Sequence, residues 1–541
     1  VKQVLQPIIY ALLLVLGIQF GFKFYEIFHK ENATGKGAVN SLTTIGTVNE
    51  IMHIIDAKYV DPIDHADLRE KMIDHTLQEL DPHSDFIPIS ELQEVNESLD
   101  GKFEGIGIEF SILKDTILVV TPISTGPSES VGILPGDKIV LVDDSLVAGP
   151  ELTNEHVMEL LRGEKGTKVK LGIARGSMDG LLDFTVTRDE IPLNSVDVAY
   201  MMDKETGYIK INRFSSTTYN EFGTKMLGLI DKGMTKLVLD LRGNPGGFLD
   251  AAYRIADELI GGKEILVYTK GKNYQTRKYI SKVKGIFERG NLAVLIDEGS
   301  ASASEILAGA VQDLDRGIVV GRRSFGKGLV QEQLELSDGS ALRIVVARYH
   351  TPSGRCIQKP YDKGDPDYFY ELDERLANGE LYSEDSIANV DSLKYYTRMG
   401  RIVYGGGGIS PDVFVPLDTT KTMAFYRLRS QVPEFVYGYF SNNQDRFISY
   451  KDKDVSEGLN LDGDIYMQFK DFCRNKEVKA ADVDFSENRL ELDTYIKAYV
   501  ARQVWGNNGF YPTINKIDEG ISTCYNALQD DAQLAKYLTI K

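Results

Sequence analysis

The chain has 541 residues, too many for one ordinary core, and its 42% hydrophobic and 26% charged content mark it as globular rather than disordered. Lysine and arginine number 61 against 80 acidic residues, and the net charge of −19 would repel phosphates, which argues against nucleic acid as a partner. Cys356, Cys473 and Cys524 have no zinc or disulfide-framework spacing. A Cys473–Cys524 bridge is open outside the cytoplasm, but buried free thiols are expected.

Ile8 to Phe22 is apolar except for Gln19, with Lys2 ahead of it, and Val4-Leu5 and Phe24-Tyr25 extend the run towards the ~20 residues of a membrane span. No small-x-small cleavage site follows, which predicts an uncleaved signal-anchor over 1–25. Lys2 keeps that end in the cytoplasm, although Lys23 and Lys30 weaken the bias, so the bulk is expected outside the cytoplasm, on the periplasmic side of the inner membrane in a Gram-negative cell. A polar linker covers 26–40. A helical region covers 41–100, with Ile45, Val48, Ile51, Ile54, Ile55, Met72, Ile73, Leu77 and Leu80 in helical periodicity until Asp81-Pro82.

From 101 to 190 the pattern changes to short strands. Phe103-Glu-Gly-Ile-Gly-Ile-Glu-Phe110 and Thr116–Val120 are followed by a Pro-Gly-Asp-Lys-Ile turn, a helix from Asn154 to Leu161, and Arg162-Gly-Glu-Lys-Gly-Thr leading into another strand. This order and these two turns resemble a PDZ domain, which adds a peptide to a sheet edge and captures its terminal carboxylate on loop N–H groups. By that resemblance the carboxylate loop is Gly105-Ile106-Gly107.

Strands and helices alternate over 191–358, as in an α/β layer. The buried strand Leu237–Leu241 runs into Arg242-Gly-Asn-Pro-Gly-Gly247, a glycine-rich turn suited to holding an anion on backbone N–H groups. A second apolar strand, Leu292–Ile296, runs into Asp297-Glu-Gly-Ser-Ala-Ser-Ala-Ser-Glu305. A helix follows, with Ile306, Leu307, Ala310, Val311 and Leu314 on its apolar face. Ser302 stands where the free N–H groups and positive end of that helix point, although a serine there often serves only as an N-cap, a part Ser304 with Glu305 could play. Lys327 follows 25 residues later between Gly326 and Gly328, beside Phe325 and Leu329-Val330. Such apolar company lowers an ammonium pKa, and a neutral lysine can take a serine's proton.

Ser302-Ala-Ser304-Glu305 together with Gly326-Lys327-Gly328 and Gln331 resembles the signature of the C-terminal processing peptidases, also called tail-specific proteases, over roughly residues 40–415. The resemblance implies an ATP-independent serine endopeptidase with a crotonase/ClpP-like core and no cofactor or metal. It further implies a Ser302 nucleophile, a Lys327 base oriented by Gln331, an oxyanion hole from Ala303 and Gly246 or Gly247, and support from Asp313. Arg162 would either couple groove occupancy to the active site or be a solvated turn arginine, and His83 in Asp81-Pro-His-Ser would be structural. Substrates would be proteins or peptides with free apolar C-termini.

The family's Gly-Gly-Ile-x-Pro-Asp strand is delayed to Gly407–Asp412, so 359–403 reads as a surface insertion and 404–418 as the closing strand. Beyond 419 the chain is largely helical, expected to brace the core or to form a homodimer, and Trp505 to Tyr511 reads as an aromatic turn. Asp452, Asp454 and Ser456 imitate a calcium loop, but Glu457 and Gly463 occupy its sixth and twelfth positions. The expected architecture is thus an α/β multidomain chain: membrane helix, helical segment, PDZ domain, Ser–Lys protease core and C-terminal helical domain. Three other readings compete. Gly321–Lys327 matches a P-loop but is followed by Gly328 instead of Ser or Thr. Ser302 could pair with His350, and the PDZ module could act as a non-catalytic scaffold.

Overall fold

The computed structural model describes residues 36–538, apart from 177, 283, 362–366, 388–390 and most of 444–463. The expected signal-anchor and the calcium-like stretch lie outside the described residues. Among the described residues no helix is long and apolar enough to cross a membrane. An N-terminal unit ending at Thr76 holds the helix Lys36–Lys58 and most of His65–Gln78. The helical run is broken between them, where Pro62 cannot continue a helix.

Within 77–541, strands Ile108–Leu113, Thr116–Pro122, Lys138–Val142, Lys168–Ala174 and Leu182–Thr187 form an antiparallel sheet in that order. Val157 and Leu161 of the helix Asn154–Leu161 join Ile117, Val119, Ile139 and Leu171 in its core. The Pro-Gly-Asp turn has a physical reason. Gly136 sits at φ +87°, and the buried Asp137 carboxylate accepts from Leu134 N (2.9 Å) and from Arg175.

The second sheet places Val196–Met201 antiparallel to Thr206–Ile211, then Lys236–Asp240, Asn291–Ile296, Ile318–Gly321 and Val413–Phe414, all parallel. Its central strands are continuous apolar runs because both faces are buried. One face packs under the helices Thr218–Asp231, Leu249–Leu259 and Ala303–Asp313. The other is covered by C-terminal residues Ile521, Cys524, Ala527, Leu528 and Leu534. The C-terminal end therefore supplies a layer of the core: Lys236 reaches Gln529, Asn291 reaches Asp531, and Arg242 forks onto Asp518.

The helices Met423–Asn442, Ile465–Asn475 and Arg489–Trp505 build a separate core around Leu428, Val436, Phe469, Leu492 and Ile496. The aromatic turn expected at Trp505–Tyr511 is instead one residue, Gly506 at φ +59°, between two helices. All three cysteines are free, and Cys473 and Cys524 lie in different clusters.

The surface reading of 359–403 is corrected in part. Its helix Asp367–Ala377 buries Tyr368 and Arg375 against the turn that carries Lys327. Arg375 donates to the carbonyls of Ser324 (3.2 Å) and Arg323 (2.6 Å), while Glu380 takes both Arg323 and Arg375. Only part of the segment's charge enters this buried ion-pair network; Asp373, Glu374, Glu384, Asp385 and Arg398 stay exposed.

Candidate active site

Ser302 lies at the junction of the Asn291–Ile296 strand with the Ala303–Asp313 helix and adopts φ +54°, ψ −110°, a conformation few non-glycine residues adopt. Glu305 and Tyr349 hold it there. The Glu305 carboxylate is fully buried and accepts four hydrogen bonds: Ser302 N (2.8 Å) and Lys327 N (2.9 Å) on Oε2, Ser324 Oγ (2.5 Å) and Gly326 N (2.7 Å) on Oε1. The buried Tyr349 hydroxyl shares its single proton between the carbonyls of Ser302 (3.0 Å) and Lys327 (2.6 Å). Residues 302 and 327 are thus tied to each other through both their N–H and C=O groups. Ser302 is the N-cap residue of that helix, and Glu305 closes the cap by accepting from its N–H.

Both side chains line one cavity of about 760 Å³, together with Gly246, Gly247 and Gln331. Burial first, and then the Arg343 guanidinium, push the Lys327 amine below the ordinary lysine value, against the opposing charges of Glu305 and Asp81. His83 is pushed down to about 4 by burial and then by Lys327, and its Nε2 meets Tyr368 Oη at 2.8 Å. Asp81 caps the turn by accepting from His83 N and Ser84 N, which fits a structural part for Asp81–Ser84. His350 is stacked on Tyr268 at 4.7 Å, with Nδ1 on Gly354 O, and is not on the cavity wall.

The two glycines of the Gly243–Gly247 turn separate. Gly246 (φ +99°) gives its N–H to Asn244 Oδ1 (2.9 Å), so it is not the free donor that was expected. A Cβ on it would stand 2.7 Å from both Ser302 Cβ and Ala301 O, which makes it the residue that lets the turn touch the serine. The N–H groups of Gly247 and Ala303 have no acceptor among the described residues. The glycine turn is itself held by Arg242, clamped between Asp240 and Asp518, with Lys210 Nζ on the Arg242 carbonyl (2.9 Å).

Two expected parts sit differently. Gln331 Nε2 donates to His83 O (2.6 Å) and makes no hydrogen bond to the Lys327 amine, so it holds the Asp81–Ser84 turn instead of the amine. Asp313, at the far end of the Ser302 helix, is taken by Arg355 and Ser353 and does not line the cavity. Glu305, Tyr349, Asn244 and Arg343 were not read as site residues. Asn244 carries a sequence signal as part of the glycine-rich turn, and Glu305, three after the serine, carries one as part of an N-cap; Tyr349 and Arg343 carry none.

In the PDZ-like sheet a groove of about 110 Å³ is lined by Ile108 and Phe110 of the Ile108–Leu113 strand, by Val157, Met158 and Leu161 of the Asn154–Leu161 helix, and by Ile106 and Gly107. Gly105 does not line it and bridges to Arg162 instead. Arg162 sits on the groove wall over Phe103 (5.2 Å), with Nη1 on Glu97 of the helix Ile89–Asp100, which also sends Ser98 and Leu99 to the Ser302 cavity.

Residues 205–368 match the model of peptidase family S41, and 105–186 that of the PDZ domain. The carboxy-terminal-processing protease of Bartonella bacilliformis is 35% identical over 332 residues, 61% of this chain and 76% of the relative. The chain belongs to the carboxy-terminal processing proteases. Bacillus subtilis CtpB is 33% identical over 335 residues, 60% of this chain and 68% of its own. The solved photosystem II D1 C-terminal processing protease is 27% identical, covering 66% of this chain and 84% of its own at a TM-score of 0.35. Residues 426–506 match a family of unknown function. As a member of this family the protein is a serine-type peptidase built from a PDZ domain, an S41 protease domain and a C-terminal helical region.

Proposed function

We propose that Ser302 is the nucleophile and Lys327 the general base of an ATP-independent endopeptidase that takes protein tails by their C-termini. The observation that carries this is the double tie of residues 302 and 327 through Glu305 and Tyr349 beside one cavity. Ser302 Oγ attacks the scissile carbonyl carbon while the neutral Lys327 amine takes its proton. The oxyanion rests on the N–H groups of Ala303 and Gly247, each such donor being worth on the order of 10²–10³ in rate. The resulting ammonium protonates the leaving amine, and water, deprotonated by the same lysine, then releases the acyl group. Gln331 and Gly246 act by position, the first on the Asp81–Ser84 turn and the second by admitting the glycine turn to Ser302.

A substrate tail docks in the PDZ groove with its carboxylate at Ile106-Gly107, and Arg162 with Glu97 carries its arrival to the helix lining the cavity. The proposal includes a membrane tether through the apolar run at 8–22, an extracytoplasmic position and a homodimer. Protease accessibility of intact cells and light scattering of the purified protein test these separately. To test the chemistry, wild type and Ser302→Ala are incubated with an unfolded protein ending in apolar residues. The wild type cleaves it and the variant does not; equal cleavage rejects the assignment.

A further inference from the structure

The wall of the Ser302 cavity carries charge of the opposite sign to the rest of the molecule. Three arginines line it, Arg213, Arg277 and Arg343, against one carboxylate, Asp250, although acidic residues outnumber basic ones 80 to 61 in the chain. They come from separate elements: Arg213 follows the strand Thr206–Ile211, Arg277 opens the strand Arg277–Ile280, and Arg343 lies on Ala341–His350. None is in an ion pair among the described residues. Arg343 donates to the neutral Gln333 Oε1 (2.9 Å), and Arg277 lies 4.8 Å from the centre of the Tyr279 ring. Asp197, whose carboxyl feels the charge of Arg213, is already taken by Asn212 and the Tyr511 hydroxyl.

Elsewhere the buried and nearly buried arginines Arg323, Arg355, Arg375 and Arg401 each have carboxylate partners, and the half-buried Arg188 and Arg316 are taken up by backbone carbonyls. Unpaired guanidinium forks on the wall of a peptide cleft suit carboxylates bidentately. An acidic segment approaching a chain of net charge −19 would otherwise be repelled, and a concave wall of opposite sign focuses the field where it is needed.

We infer that this wall selects substrate by charge: the cleft takes polypeptide segments that carry aspartate or glutamate side chains beside the bond cut at Ser302. The inference rests on the assignment of Ser302 as nucleophile, and binding and cleavage separate the two. The probes are C-terminally amidated peptides, which leave a carboxylate-capturing PDZ groove without its ligand, identical except for Asp, Asn or Lys at two positions flanking an apolar residue. Affinity is read by fluorescence anisotropy on Ser302→Ala, and kcat/KM on the protein with Ser302 intact.

The Asp peptide binds and is cut about tenfold better than the Asn peptide at low salt, with the Lys peptide worst, and the ratio shrinks as salt rises. In Arg213→Gln/Arg277→Gln the Asp-to-Asn ratio falls towards one; Arg343 is left in place because its charge also acts on Lys327. An unchanged ratio in that double variant, or equal treatment of the peptides by the parent protein, overturns the inference. Selective binding of the Asp peptide that the double variant loses, without any cleavage, upholds it while rejecting the nucleophile assignment.

Discussion

Glu305→Gln tests whether one buried carboxylate holds the reacting residues together. The carboxylate serves four donors, two on each oxygen. An amide keeps one oxygen, so two donors lose their acceptor and face an NH2 group. At about 1–3 kcal/mol for each buried donor left unmet, the variant loses roughly 2–6 kcal/mol. For a domain of this size that lowers Tm on the order of 10 °C. If the amide nitrogen turns to Ser302 and Lys327, the two backbones separate, and a displacement near 1 Å costs about 10² in rate. Thermal unfolding and steady-state cleavage, the latter at a temperature where both proteins are folded, read the two effects. The expected result is a Tm drop with kcat reduced about 10²-fold and KM changed far less. A variant with kcat within about threefold of wild type and an unmoved Tm would refute the reasoning.

Because Lys327 must be neutral to accept a proton, kcat/KM should climb as pH rises through its depressed pKa. Arg343→Gln removes one of the two influences that depress it, so the limb moves to higher pH, activity falls near neutrality and recovers in alkali. An unmoved limb rejects the Arg343 contribution. Asp518→Asn removes one of the two carboxylates gripping Arg242 behind the glycine turn, while Asp240 stays. A loss of about 1 kcal/mol, a factor near five in kcat with KM steady, is expected from steady-state kinetics. An unaltered kcat would mean that the C-terminal layer does not reach the oxyanion turn.

What could be read ahead of the structure, and what could not, follows from the range of the interactions. Ser302 and Lys327 stand in short segments with small or apolar neighbours, so local chemistry marked them. Glu305 was visible three residues after the serine, but its acceptor work comes from a turn some twenty residues downstream, which periodicity cannot show. The choice between Gly246 and Gly247 depends on where the Asn244 side chain points. The 359–403 segment looked solvated because charge is usually solvated, yet Arg375 and Glu380 are spent on buried partners. The strands Lys236–Asp240 and Asn291–Ile296 are apolar between their terminal residues Lys236, Asp240 and Asn291, which demands cover on both faces, and the helices after 517 provide it.

The central claim is that the Lys327 amine activates the Ser302 hydroxyl. Its most direct test is Lys327→Ala, assayed for cleavage of a tailed unfolded substrate and for tail binding on the same preparation. Cleavage is predicted to vanish with tail affinity unchanged, whereas cleavage persisting at the wild-type rate would contradict the account.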